Sequence, residues 1–204
     1  MKAGLYTLRV PGIRVLGIWV LATWVVAMVA GSVHAEPVTR FGSSYYYVEG
    51  GSALILTGQM ENKGPADSTG RHHIAYTKWS VQWRFRHNMH EGVCKMEKVS
   101  VLVGVTSIRP RWRDEKKGTP ALQQRWKQMI EAIDRNENHH KQEALEAGKQ
   151  IEDALNNLQP AATCEEMTET ANRVASGILE KHKKASYDYD QSNDYGRKNG
   201  VTLM

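Results

Sequence analysis

Between Thr119 and Leu158, apolar residues recur at three- and four-residue steps: Leu122, Trp126, Ile130, Ile133, Ala144, Ala147, Ile151, Ala154 and Leu158. That spacing predicts one long amphipathic helix. Thr119 suits its N-cap, and Pro120 its first turn, where a missing N–H costs nothing. Two positions on the apolar stripe are polar. At about 100° per residue, Glu137 and His140 fall within the arc set by Ile133 and Ala144, while His139 points to the opposite side. Burying an acid and an imidazole in such a seam costs on the order of several kcal/mol unless something pairs with them. This interruption is the strongest functional signal in the chain.

Ahead of that helix the period changes to two. Trp79, Val81, Trp83 and Phe85 alternate with Ser80, Gln82, Arg84 and Arg86, and Val99, Val101, Val103 and Val105 repeat the pattern after a turn near Glu91-Gly92. These two strands are expected to pair as an antiparallel hairpin, the second beginning near Cys94. Tyr45 to Val48 is a third β-favouring run, closed by Gly50-Gly51. Ser52 to Asn62 reads as a short helix capped by Ser52 and stopped by Gly64-Pro65. The run Arg109 to Arg113 ends the sheet. Past the long helix, Gln159-Pro160 makes a short connection. Thr163 and Glu166 then form a capping box for a second helix, with Met167, Ala171, Val174 and Ile178 as its buried stripe. The tail from Tyr187 to Met204 is polar and reads as a frayed end. The fold class is α+β: a small antiparallel sheet packed on two long helices.

Residues 1–35 read as a targeting segment. Lys2, Arg9 and Arg14 make a positive region, Val15 to Ala30 is apolar, and Val33-His34-Ala35 is an acceptable cleavage site, which makes Glu36 the first residue of an exported domain spanning 36–204. The alternative is an uncleaved anchor, but the run is short of the ~20 residues a spanning helix needs. Cleavage leaves no second stretch able to span a membrane and places the protein in the periplasm or outside the cell. It also lowers the formal net charge from +5 to +2, because all three charged residues removed are basic. A nucleic-acid partner is therefore not expected, and the arginines at 84, 86, 109, 111 and 113 read as the wet face of a sheet. The two cysteines, Cys94 and Cys164, are in an oxidising compartment most simply one disulfide. Two free thiols or half a metal site are the alternatives. His72-His73 reads as solvated surface, and His87 with His90 is not a specific metal signal.

Laid side by side, several pieces follow one order: the aromatic run before Gly50, Gly64-Pro65, Tyr76-Thr77-Lys78-Trp79, Gly92-Val93-Cys94, Pro110-Arg111-Trp112, Asn136-Glu137-Asn138-His139-His140, Cys164 and Tyr189-Asp190. That order resembles the bacterial family called domain of unknown function 922 (DUF922), over roughly Tyr45 to Val201. Its members are taken to be secreted zinc-dependent proteases. The resemblance implies a zincin-like domain, with His-Glu-x-x-His on the long helix and a further histidine in a Tyr-Asp-x-x-Thr-x-His-Gly segment. In such a motif, histidines at i and i+4 bind zinc and the glutamate activates the metal-bound water.

Carried over position by position, Glu137 stands for the base and His140 for the second ligand. Asn136 replaces the first histidine and Tyr195 the third. An amide oxygen is a weak zinc donor, and a phenol must first lose a proton of pKa about 10. Three readings follow. The pair Glu137–His140 is an inert hydrogen-bonded relic, whose functional form is a non-catalytic relative that binds a peptide or a cell-envelope protein. The protein is instead a working zinc metallopeptidase using Asn136, His140 and Tyr195, with Glu137 as general base. Or a metal site is assembled differently, drawing on His87 or His90, or the role is a wholly different one.

Overall fold

The alternating segments pair as their pattern requires, and the computed structural model describes residues 36–204; the targeting segment read over 1–35 lies outside the described residues. Strand β2 (Tyr76–His90) and strand β3 (Val93–Trp112) form an antiparallel hairpin in which Val81 faces Val103 and Trp83 faces Val101. The two residues between them, Glu91 (φ 50°) and Gly92 (φ 83°), both take the left-handed conformation of a two-residue hairpin turn. The expected strand near Tyr45 is longer than its aromatic run, β1 covering Val38–Val48.

The all-antiparallel expectation fails at β1. The sheet is mixed, in the order β1–β3–β2, and β1 runs parallel to β3, with Val48 opposite Trp112. The reason is the length of the connection. Between β1 and β2 lie helix α1 (Ala53–Lys63) and a loop, far too much chain for a hairpin, and β3 slots into the place left open. Pro110 is tolerated within β3 because β2 begins opposite Ile108, so no β2 residue stands across from the missing N–H. Helix α1 has the expected cap: the Ser52 hydroxyl accepts from the Ile55 N–H at 3.3 Å. Its end is set by Gly64, where a Cβ would lie 2.0 Å from the His73 carbonyl oxygen.

Helix α2 (Pro120–Asn156) is the long element anticipated, capped by Thr119 through the Leu122 N–H. Helix α3 (Cys164–Asn193) opens on the Thr163–Glu166 box, the threonine hydroxyl accepting from the Glu166 N–H at 3.1 Å. Two apolar clusters lie along α2. Its first half, with Leu122, Trp126, Met129 and Ile133, packs with Val48 of β1, Leu56 and Met60 of α1, Trp112, Val201 and Leu203. Its second half, with Ala144, Ala147, Ile151 and Leu155, packs against the valines of the hairpin and Ala171 and Ala175 of α3. Here α2 and the sheet approach so closely that a Cβ at Gly148 would meet Val103 at 2.4 Å. Val174 and Ile178, expected on the buried stripe of α3, are only half-buried.

The polar tail is not frayed. Helix α3 continues to Asn193, a 3-10 turn follows at Arg197–Asn199, and Val201 and Leu203 insert into the first cluster. Cys94 and Cys164 are disulfide-bonded with their Cα atoms 5.1 Å apart, tying the start of β3 to the start of α3. A backbone pair reinforces the junction, Cys94 N–H to Ala161 carbonyl at 2.8 Å and the reverse at 3.0 Å. Among the described residues no helix is long and apolar enough to cross a membrane.

Replacing both cysteines by serine is expected to cost about 4 kcal/mol of unfolding free energy, the loop-entropy value for a closure of this length, measured by denaturant titration. Leu203→Ala, in a segment that composition alone would leave loose, should cost about 2–5 kcal/mol in the same assay.

Candidate functional site

The gap between the two apolar clusters is where α2 turns polar. Asn136, Glu137 and His140 sit there at 5%, 4% and 6% exposure. What faces them is the second half of α3. The three- and four-residue stripe of Ala171 and Ala175 runs on through His182, Ser186, Asp190 and Asn193, and from there it is polar like the stripe opposite. The polar composition that suggested a loose tail is the inward face of a helix matched to a polar seam.

The matching is specific. The Ser186 Oγ lies 2.7 Å from His140 Nδ1, and an Asp190 carboxylate oxygen lies 3.0 Å from His140 Nε2. One step along, His182 meets Glu143 at 2.7 Å and Gln150 at 3.2 Å. At the other end the Asn193 amide donates to the Asn136 carbonyl oxygen at 3.4 Å and accepts from the Gly196 N–H at 2.5 Å. His139 is half-buried, stacked on the Tyr189 ring at 3.7 Å.

These side chains form one side of a cleft of about 500 Å³. The start of β2, with Tyr76, Thr77, Lys78 and Trp79, forms another side, and the loop around Asp67 to His73 a third. Tyr195 reaches the same cleft. Three consecutive left-handed residues, Asp194 (φ 52°), Tyr195 (φ 52°) and Gly196 (φ 86°), reverse the chain and carry the tyrosine back over it. The Tyr195 ring lies 5.0 Å from that of His73 with Arg71 above it at 4.9 Å, and its hydroxyl accepts from Gln191. A Cβ at Gly196 would strike Val201 at 2.6 Å and touch Asn136 at 3.4 Å, so the reversal needs glycine twice over.

Burial and neighbouring charges shift the ionisable groups of the cleft in different directions. Burial pushes the Glu137 carboxyl up, against hydrogen bonds from Thr77 and Asn136 and the nearby His140 that pull it down. One of its oxygens, Oε2, is buried with no hydrogen-bond partner. Burial lowers the His140 imidazole, but the hydrogen bond and charge of Asp190, with Glu137 and Glu143 behind it, raise it on balance. Burial and the neighbouring acids raise the Tyr76 phenol. Asp67 accepts from Thr69 and His73, which together hold its carboxyl far below the usual range.

His73 is therefore not solvated surface: its Nε2 is 2.8 Å from Asp67, its ring stacks on Tyr76, and it lines the cleft. His72 donates from Nδ1 to the Gly64 carbonyl at 2.6 Å. His87 and His90 cannot join the site. His87 lies ten residues beyond Thr77 along β2, about 33 Å away at the strand rise, hydrogen-bonded to Thr168 at 2.8 Å, and His90 faces Glu97 at 3.3 Å. His87, Cys94 and Cys164 do converge within 4.8 Å, but the sulfurs are bonded to each other and are spent as ligands.

The donor set of the cleft departs from that of a catalytic zinc site. Zinc wants about three imidazole or anionic donors converging with open lone pairs. Here both nitrogens of His140 are engaged, the Asn136 oxygen is taken by Asn193, and the Tyr195 hydroxyl is bonded to Gln191. Among the described residues, no cluster of three His, Cys, Asp or Glu donors forms in the cleft. Glu137, His140, Asn136 and Tyr195 thus line one cleft. Ser186, Asp190, His73 and Asp67 are added to them, and the first two carried a readable signal as the continuation of the α3 stripe.

A family model for bacterial proteins of unknown function, DUF922, matches residues 43–196, which takes in every residue lining the cleft. The chain belongs to the DUF922 family. No curated protein and no solved structure matches it.

Because burial raises Glu137 in this DUF922 chain above its unfolded value, the folded state holds that proton more tightly than the unfolded one. Its contribution to stability is full below the ordinary carboxylate range and is lost as pH rises through the raised value. Glu137→Gln cannot ionise. It should be more stable than wild type at pH 7 by on the order of 1 kcal/mol, with the gap closing at about pH 4, as denaturant titrations at the two pH values will read.

Proposed function

We propose that this is an exported DUF922 domain that binds an extended peptide segment, of a secreted or cell-envelope protein, on a zincin-like frame whose metal chemistry has been lost. The observation that carries the reading is the state of the donor atoms. Every group that the family pattern would turn toward zinc is turned toward another side chain, while the cleft around them stays open.

The cleft suits an extended chain. Among the described residues β2 has no strand on its outer side, and its first four residues form one side of the cleft. A peptide laid along that edge gains main-chain hydrogen bonds while alternate side chains enter the cleft. Tyr76, Trp79, Tyr187 and Tyr195 supply aromatic surface, and Asp67, Asp190, Lys78 and Lys183 supply charges of both signs. The unpartnered Glu137 oxygen is an unmet hydrogen bond that a ligand can satisfy. Export is supported by the basic–apolar leader and by the disulfide, a bond that persists in oxidising compartments.

The purified protein should hold well below one zinc per chain after dialysis. A fluorescein-labelled, denatured and alkylated protein should bind with an affinity that a chelator does not change. Near-stoichiometric zinc surviving dialysis, or binding abolished by chelator, would restore the metallopeptidase reading. The double variant Asn136→His, Tyr195→His supplies two imidazoles where the wild type has weak oxygens. It is expected to gain zinc affinity measurable by competition with a chromogenic chelator.

A further inference from the structure

We propose that Ser186, His140 and Asp190 form a metal-independent acyl-transfer site, in which Ser186 attacks the carbonyl carbon of an ester or peptide held in the cleft. The proposal rests on the cleft being a binding site and adds to it a reaction that needs no zinc.

In neutral His140 the hydrogen bonds assign the roles. A carboxylate only accepts, so the 3.0 Å contact with Asp190 places the imidazole hydrogen on Nε2 of neutral His140. Nδ1 is then a bare lone pair, and the group 2.7 Å from it is the Ser186 hydroxyl, which donates. A nucleophile bonded to a base that is in turn oriented by a carboxylate is the arrangement that activates serine. The two nitrogens exchange places relative to the familiar serine hydrolases, but the hydroxyl–imidazole–carboxylate relay is the same.

Ser186 has made an uncommon choice for a helical hydroxyl. Thr168 and Ser192, also on α3, donate to helix carbonyls at 2.9 and 2.7 Å, the usual local outlet for such groups. Ser186 instead reaches across to α2. It is 8% exposed, and that exposure opens on the cleft. Ser186 and Asp190 are one turn apart on α3 and His140 comes from the facing helix, so all three ride on rigid elements.

The chemistry balances without a co-reactant other than water. Ser186 Oγ bonds to the carbonyl carbon as its proton passes to His140 Nδ1 and the π pair moves onto the carbonyl oxygen. That oxygen's pair returns, the bond to the alcohol or amine breaks, and His140 protonates the leaving group. Water then attacks the acyl-serine, giving its proton to His140, and Ser186 recovers the proton as the acid leaves. In the reaction Asp190 acts through the imidazole it hydrogen-bonds, and it is a positioning residue. The Tyr76 hydroxyl and the Lys78 ammonium line the same cleft and are donors available to the developing oxyanion.

The test is covalent labelling of the intact exported protein by a fluorophosphonate probe in the presence of a chelator, with mass spectrometry locating the adduct. One adduct on Ser186 is expected, together with turnover of p-nitrophenyl acetate, and both should vanish in Ser186→Ala. Asp190→Asn should slow labelling by about 100-fold or more and Asp190→Glu recover part of it, with rates compared on protein shown to be folded by circular dichroism; a purely structural aspartate would leave the rate of the folded protein alone. In Ser186→Cys, alkylation by iodoacetamide should run about tenfold or more faster than for an ordinary thiol, because His140 draws off the proton. Cleavage of a denatured protein as well as the ester assigns peptides as substrates, and ester turnover alone assigns esters. A folded protein that binds the labelled chain yet forms no adduct at Ser186 overturns this inference and leaves the binding role intact. An adduct with no binding of the chain overturns the binding role instead.

Discussion

His140 is held between Ser186 and Asp190, and the pairing of α2 with α3 depends on that clasp. An imidazole buried between two apolar clusters would be expelled or would destabilise the fold if either nitrogen lacked a partner. The opposing helix supplies both partners, one turn apart. His182 with Glu143 and Asn193 with Asn136 extend the pattern in both directions, so the antiparallel helices are registered by hydrogen bonds over the stretch where apolar packing stops. Sliding α3 by one turn would strand several buried polar groups at once. Apolar side chains tolerate such a slip far better than a chain of directional bonds does.

The clasp also shapes what lies beside it. Because α3 must stay helical through Asp190 to reach His140, the chain reverses only after Asn193, in the left-handed run that brings Tyr195 over the cleft. Val201 and Leu203 then anchor the end in the first apolar cluster. The cleft is the space left between this reversal, the start of β2 and the Asp67–His73 loop. Glu137 Oε2 is buried beside the cleft with no hydrogen-bond partner, an atom that a ligand in the cleft can satisfy.

A polar seam on a helix can serve a metal or a facing helix. The polar seam on α2 keeps the same positions whether it faces a metal or faces α3. What changes is the partner of the imidazole: a cation in one case, a hydroxyl and a carboxylate in the other. In this chain Asn136 and Tyr195 line the cleft beside the histidine, and Ser186 and Asp190 engage both of its nitrogens.

The one-dimensional pattern was enough for α2, the hairpin, α1, the three helix caps and the cysteine pair, because each rests on local periodicity or on residues whose chemistry leaves few outcomes. It also marked Glu137 and His140, since a polar residue on an apolar stripe is visible without knowing what it faces. It could not place β1, whose parallel partner lies more than sixty residues away, and it misread the tail, because a helix face that is polar for a tertiary reason looks like solvent-exposed chain. Which atoms His140 would meet was decided only when α3 packed against α2. Periodicity tells a residue which way to point, but its partner is set by whatever the rest of the chain brings to that side.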